Sequence, residues 1–405
     1  MSASSIARPF DFHLPADLIA QDPPSRRGDS RLLLVEPGGQ VAGERVFRQI
    51  PEILRPGDLL VLNESRVLPA RLLTTRQDTG GQVEILLVRP VGDDNTWLAL
   101  ARPGRRLRAG TRLVVSGVGG DSGSDSPVLE ISERLDQGQV VVTAEQDPGL
   151  VAEQWGVMPL PPYIKRDDED LVSERGKRDR DRYQTVFSVQ DDTGAGSVAA
   201  PTAGLHFSDA ILGALATAGV KTAKVSLHVG PGTFREPTTE QVAARRLHRE
   251  YFRLPPETAL LIAETRRSGG RVIAVGTTSL RVLETVSRLG LSDDGPDHLT
   301  FGSGTDGSLP EFAGEAVRRS GHWEVVGQTR LFLCPPDKVS AVDGLLTNFH
   351  LPGSSLLMLV AALAGEKTWP LVYAHAVAER MRFYSYGDCM LILPGVSGLF
   401  RMKGS

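Results

Sequence analysis

Three times after residue 196, a short apolar run ends in a loop rich in Gly, Thr, Ser or Asn, and a helix-periodic segment follows. The first unit comprises 197–200, the loop 201–206 and a helix over 208–218. The second comprises 271–275, the loop 276–279 and a helix to residue 289. The third comprises 343–346, the loop 347–354 and a helix over 355–364. Repeated strand–loop–helix units imply a largely parallel sheet or an α/β barrel. No close sequence repeat links the three, so this is an architecture and not a solenoid. In such folds chemistry gathers on the loops that follow the carboxyl ends of strands.

The stretch 68–144 has a different character. Short β-patterned runs at 83–89, 97–101, 111–115, 128–131 and 139–143 alternate with turn residues, and no helix-period segment interrupts them. That pattern predicts a small all-β domain, an antiparallel barrel. The expected fold is α/β: a large barrel-like α/β domain from 1–66 and 150–405, with a small β-barrel inserted at 67–149. The dense mixed-charge stretch 165–182 reads first as a solvated loop or helix. Its functional reading is a mobile lid or an RNA-contacting arm.

Composition excludes several classes. The chain has 405 residues, enough for two domains, and 40% hydrophobic content, enough for a large core. The net charge of -4 does not advertise a nucleic-acid binder, so any such contact must come from a local patch. Two separated cysteines, Cys334 and Cys389, form neither a disulfide framework nor a cysteine zinc site. Residues 1–24 lack the apolar core of a signal peptide. The longest apolar run, 356–364, is too short to span a bilayer. The expected location is the cytoplasm, with no membrane partner.

Four loops could do chemistry. The loop 200–207 carries Thr202, Gly204 and His206, with Ser208 as an N-cap for the next helix. Such a loop presents N–H groups, a hydroxyl and an imidazole near a positive helix end, which suits an anion. In 225–234, period-two alternation places Ser226 and His228 on one face, and Gly230 permits close backbone approach. Thr277, Thr278 and Ser279 offer donors at a helix start, and plain N-capping explains much of them. Asn348, Phe349 and His350 stand just before a Ser-capped apolar helix; Phe349 could stack on a base or simply be core. No HxH or HExxH spacing supports a metal, and no GxGxxG follows a strand.

At these residues the sequence resembles a known family. Segments 196–207, 228–234 and 347–352 closely resemble the S-adenosylmethionine:tRNA ribosyltransferase-isomerases of queuosine biosynthesis. So do 10–21, 30–33, 63–67, 160–164, 182–186 and 383–388. Departures are Glu64 and Ser65 for the commoner Asp and Thr, and Leu247 and Arg249 around His248. Gly353 stands where Lys is frequent, and the stretch 189–195 looks enlarged.

The resemblance implies transfer of the ribosyl part of S-adenosylmethionine to 7-aminomethyl-7-deazaguanine at the wobble position of tRNA. The ribose rearranges to give epoxyqueuosine, and adenine and methionine leave. It implies S-adenosylmethionine as co-substrate, no cofactor and no metal. The chemistry needs proton transfers near neutral pH, to which histidine is matched. His206, His228 and His350 are therefore the expected acid–base residues. Thr202, Gly204, Gly230, Thr277, Thr278 and Ser279 are expected to hold the carboxylate and ribose, and Asn348 and Phe349 a base. Expected phosphate contacts are Arg102, Arg105, Arg106, Arg108 and Arg112 on the insert, and Lys165, Arg166, Lys177, Arg178, Arg180 and Arg182 in the charged stretch. The oligomeric state, monomer or homodimer, is left open. A non-catalytic tRNA-binding protein and a histidine-based metal hydrolase are the rival readings.

Overall fold

The structure is a computed structural model that describes residues 10–92, 95–116, 126–189, 196–230, 236–291, 298–301, 312–319 and 321–398. Residues 190–195 of the enlarged stretch and 231–235 after Gly230 lie outside the described residues. The chain divides into two compact units. One comprises Met1–Glu64, Pro201–Leu227 and Gly232–Ser405; the other comprises Ser65–Ala200 and His228–Pro231.

The larger unit is built on one 11-stranded sheet. Its strands are β1 (Arg31–Val35), β2 (Val41–Val46), β3 (Leu59–Asn63) and, beyond the six strands of the other unit, β10 (Lys221–Leu227), β11 (Arg246–Leu254), β12 (Val272–Val275), β13 (His298–Phe301), β14 (Phe312–Arg319), β15 (His322–Leu331), β16 (Gly344–Asn348) and β17 (Cys389–Ile392). The order is β13-β14-β15-β11-β10-β3-β12-β16-β17-β1-β2. β10, β3, β12 and β16 run parallel at the centre. β3, β12 and β16 are buried at every position, as strands covered on both faces must be.

The α/β class is as expected, but the sheet is parallel only at its centre and in the β17–β1 pair. β11, β15, β14 and β13 are paired antiparallel, as are β10–β11, β16–β17 and β1–β2. β11 shows why. Its pattern alternates buried and exposed from Glu250 to Leu254, the mark of an antiparallel strand with one wet face.

The register aligns one edge of this sheet. Asn63 pairs with Val225, Val275 with Leu62 and Leu346, Asn348 with Cys389, and Cys389 with Leu32. The carboxyl ends of β10, β3, β12 and β16 thus meet the starts of β17 and β1. Asn63 locks two of those ends: its amide nitrogen donates to Leu227 O at 3.1 Å, and Leu227 N–H donates to its Oδ1 at 3.0 Å.

The second unit contains the expected closed barrel. β4 (Arg71–Arg76), β5 (Gln82–Pro90), β6 (Thr96–Arg102), β7 (Arg112–Val115), β8 (Val128–Arg134) and β9 (Gln139–Ala144) close in the order β4-β5-β6-β9-β8-β7. Their alternate residues, among them Leu72, Ile85, Leu87, Trp97, Leu113, Ile131 and Val142, form its core. Around the barrel this unit also holds the charged stretch. There Arg166 and Asp179 form a buried ion pair at 2.6 Å. Ser197 Oγ accepts from Val229 N–H at 3.0 Å and donates to Ala199 O at 2.6 Å, tying the short 228–231 segment into the unit.

Candidate active site

His206 ends the 3-10 turn Thr202–His206, which follows Pro201. Ser208 caps the next helix by accepting from Ile211 N–H at 3.3 Å. Arg27 Nη1 donates to Leu205 O at 3.0 Å and pins the turn. The His206 ring is 4% exposed and stacks on Phe47 at 5.1 Å. Its Nδ1 lies 3.0 Å from Ser30 Oγ, at the start of β1. Burial lowers its pKa to about 4; Asn348 opposes that shift, while Arg382 and Arg27 add to it. Among the described residues neither His206 Nε2 nor Asn348 Oδ1 has a hydrogen-bond partner of good geometry.

Asn348 closes β16, and its amide nitrogen donates to Tyr384 O at 2.8 Å. His350 follows two residues on. Its Nε2 lies 2.9 Å from Thr347 Oγ1, and its N–H donates to the Tyr373 hydroxyl at 3.1 Å. Burial alone lowers its pKa to about 3. Phe349 is 0% exposed and packs against Tyr373 and Phe383 at 5.7 and 5.1 Å, so it belongs to the core and offers no face to a base. Gly353 takes φ +68 in the turn that follows, a region glycine enters freely.

The helix Gly276–Arg288 begins at Gly276 itself, with φ +85 and no side-chain cap. Thr277, Thr278 and Ser279 therefore sit within its first turn and are not N-caps. A Cβ on Gly276 would lie 3.7 Å from Ala203 Cβ, so this turn and the Thr202–His206 turn are neighbours. Thr277 and Ser279 are buried, and Thr278 Oγ1 and Ser279 Oγ lack partners among the described residues. The edge thus brings Thr202, Gly204, His206, Thr277, Thr278, Ser279, Asn348 and His350 into one unit. A surface depression of ≈ 560 Å³ adjoins it, lined by Phe12, His13, Pro352 and Tyr384 among others. His228 and Gly230, both half-buried, belong to the barrel-bearing unit.

The expected phosphate contacts are of two kinds. Arg102, Arg105, Arg106, Arg108 and Arg112 are exposed on the barrel, and none forms an ion pair among the described residues. Arg166 is different: its guanidinium is 2% exposed and committed to Asp179. Lys165, Arg178 and Arg180 are exposed and Arg182 is half-buried. Lys177 pairs with Glu174, and Arg180 Nη2 donates to Glu153 O.

Sequence reasoning attached no role to Ser30, Tyr373 or Tyr384, which hold His206, His350 and Asn348. It also passed over a buried pair on the same unit, Glu250 of β11 and Arg281 of the helix Gly276–Arg288. His248 adds to it, with Nε2 3.1 Å from Glu250 Oε1. No group of three or more His, Cys, Asp or Glu suited to a metal occurs among the described residues. No single helix there is long and apolar enough to cross a membrane.

Residues 7–392 match a protein family described as "Queuosine biosynthesis protein". The chain is 41% identical over 384 residues to an S-adenosylmethionine:tRNA ribosyltransferase-isomerase of Thermotoga maritima, covering 95% of this chain and 98% of that one. It is 40% identical over 388 residues to the enzyme of the same name from Syntrophomonas wolfei, covering 95% and 96%. Among solved structures it is similar to an S-adenosylmethionine tRNA ribosyltransferase from Thermotoga maritima, at 34% identity, 95% and 100% coverage and a TM-score of 0.48.

Proposed function

The chain belongs to the queuosine biosynthesis family of S-adenosylmethionine:tRNA ribosyltransferase-isomerases, and from that premise we propose which substrate it takes and which residues act on it. The proposed acceptor is the aminomethyl group of 7-aminomethyl-7-deazaguanine at the tRNA wobble position. S-adenosylmethionine gives up its ribosyl part, which isomerises to the epoxycyclopentanediol of epoxyqueuosine, and adenine and methionine leave. The reaction calls on no further cofactor and no metal, and chelators should leave the rate unchanged. Its place is the cytoplasm, where tRNA is processed.

The observation that carries this reading is the orphaned Nε2 of His206. Ser30 Oγ donates to Gly387 O at 3.4 Å, so Ser30 accepts from His206 Nδ1–H and Nε2 bears the lone pair. Asn348 favours the protonated ring, and with Nδ1 engaged by Ser30 the nitrogen left for it is Nε2. A lone pair beside an acceptor makes no bond until a proton arrives; that proton is then shared with Asn348. The C5′ hydrogen beside the sulfonium is the proton this arrangement suits, so His206 takes the accepting role. With a pKa of about 4 it holds no proton in reserve near pH 7, and so does not serve as the resting donor to departing adenine. His350, held through Thr347 and Tyr373, positions the loop beside Asn348. His228 stands as a candidate on residue type. The wobble base must leave its stack to be reached.

The test is single-turnover adenine release from S-adenosylmethionine on tRNA carrying the deazaguanine. His206→Ala should slow it by about 100-fold or more, the usual scale for a lost general base. Wild-type rates for the His206, His228 and His350 alanine variants together would rule out histidine acid–base catalysis. No adenine release by the unaltered protein would leave only a tRNA-binding function.

A further inference from the structure

Arg281 lies in the second turn of the helix Gly276–Arg288 and is 4% exposed. Its Nη1 donates to Glu250 Oε2. Its Nε and Nη2 have no acceptor among the described residues. These two atoms are not an arbitrary pair. On a planar guanidinium, Nε–H and the Nη2–H beside it lie along one edge and point the same way. That edge is the fork that receives both oxygens of a carboxylate. Glu250 occupies the other end and holds the plane in place. Glu250 is itself fixed, by β11 pairing opposite Thr329 and by His248 at 3.1 Å. Buried N–H groups without acceptors are uncommon in folded proteins, and an unpaired bidentate edge on a buried guanidinium suits an anion with two oxygens.

We propose that this open edge of Arg281 binds the α-carboxylate of the methionine part of S-adenosylmethionine. The proposal rests on the reading that S-adenosylmethionine is the co-substrate. An RNA phosphodiester offers two oxygens as well, but it lies on a solvated backbone, and a side chain so deeply buried suits a small ligand enclosed by the protein. Thr278 Oγ1, one turn earlier, and Ser279 Oγ, two residues before Arg281, are also without partners among the described residues and stand on the same helix start. The general base and the carboxylate anchor would then come from neighbouring elements: the Thr202–His206 turn packs against the helix that carries Arg281.

The experiment compares binding of S-adenosylmethionine with binding of its decarboxylated analogue, which keeps the sulfonium and adenosine and lacks only the carboxylate. Calorimetry is run on the full chain, unaltered and as Arg281→Gln and Arg281→Lys. The unaltered protein should prefer S-adenosylmethionine by about tenfold to a hundredfold, the worth of a charge-assisted bidentate contact. Arg281→Gln should abolish the preference while its affinity for the analogue stays unchanged, which also shows that the site has folded. Arg281→Lys should keep part of the preference, since it retains charge but loses the fork. Equal affinity of the unaltered protein for both ligands would overturn the proposal, as would equal weakening of both by Arg281→Gln. Adenine release by the unaltered protein is measured alongside. Release without discrimination sinks the Arg281 assignment alone; no release sinks the co-substrate reading on which it rests.

Discussion

His206 and His350 are neutral because they are buried, and neutrality maintained by burial has a pH signature. Folding lowers the His206 pKa from 6.5 to about 4, so between those values the unfolded chain binds more protons than the folded one. Stability is then complete above pH 6.5 and is lost as pH falls through that window. The shift is on the order of 3 kcal/mol for His206 at full extent, and His350, lowered to about 3, adds a loss of the same sign. The thermal midpoint should therefore drop between pH 7 and pH 5. In His206→Gln, which cannot titrate, the drop should be visibly shallower. An unchanged pH profile in that variant would mean that the ring is solvated in the native state. The same burial was not legible in the sequence. Ser30 stands 176 positions from His206, and the aromatic and cationic neighbours come from the turn after β2, the approach to β1 and the segment before β17. An imidazole's residue type shows locally; the burial that sets its charge does not.

At the scale of elements, the local patterns were legible where they are made by neighbours in sequence. Two of the three expected units form: β12 runs into the helix Gly276–Arg288, and β16 leads through a turn to the helix Ser355–Ala364. The first lacks its strand, because 197–200 makes only the bridge of Ser197 to Val67 and belongs to the other unit, while the Thr202–His206 turn packs against β16. The exact start of the helix at Gly276 was not legible, because Thr278 and Ser279 read as caps while the turn is made by a positive-φ glycine. Gly276→Ala tests that start. An alanine at φ +85 costs about 1 to 2 kcal/mol in backbone strain, although its Cβ would meet nothing closer than 3.4 Å. Gly290, with φ +63 and nothing within 4 Å, is the control. Both alanine variants should lose similar stability in denaturant. Only Gly276→Ala should also weaken S-adenosylmethionine binding, because Thr277, Ser279 and Arg281 move with the first two turns. Equal binding by both variants would detach that helix start from the ligand.

For the whole molecule the question is how a chain of net charge -4 holds a polyanion. Average charge opposes the encounter, so the attraction must be local and short in range, within about 8–10 Å at physiological ionic strength. The exposed arginines of the barrel meet that condition. Arg102, Arg105, Arg106, Arg108 and Arg112 make no ion pairs among the described residues, whereas Arg166 is neutralised inside its own unit. Sequence composition could count both sets of cations but not tell them apart, because pairing depends on which carboxylate folds beside each. The difference has a thermodynamic readout. Each phosphate neutralised releases counterions, contributing about 0.7 to 0.9 to the slope of log affinity against log salt. Replacing Arg102, Arg105 and Arg106 together by Ala should reduce that slope by roughly 2 to 3 if all three touch phosphates. Arg166→Ala should leave the slope unchanged and instead lower stability, because it removes the ion-pair partner of the buried Asp179 carboxylate. Binding of S-adenosylmethionine alone should be indifferent to the triple variant, since its proposed contacts lie on the other unit. A triple variant with the full salt slope would move the RNA interface off the barrel and onto some other surface of the chain.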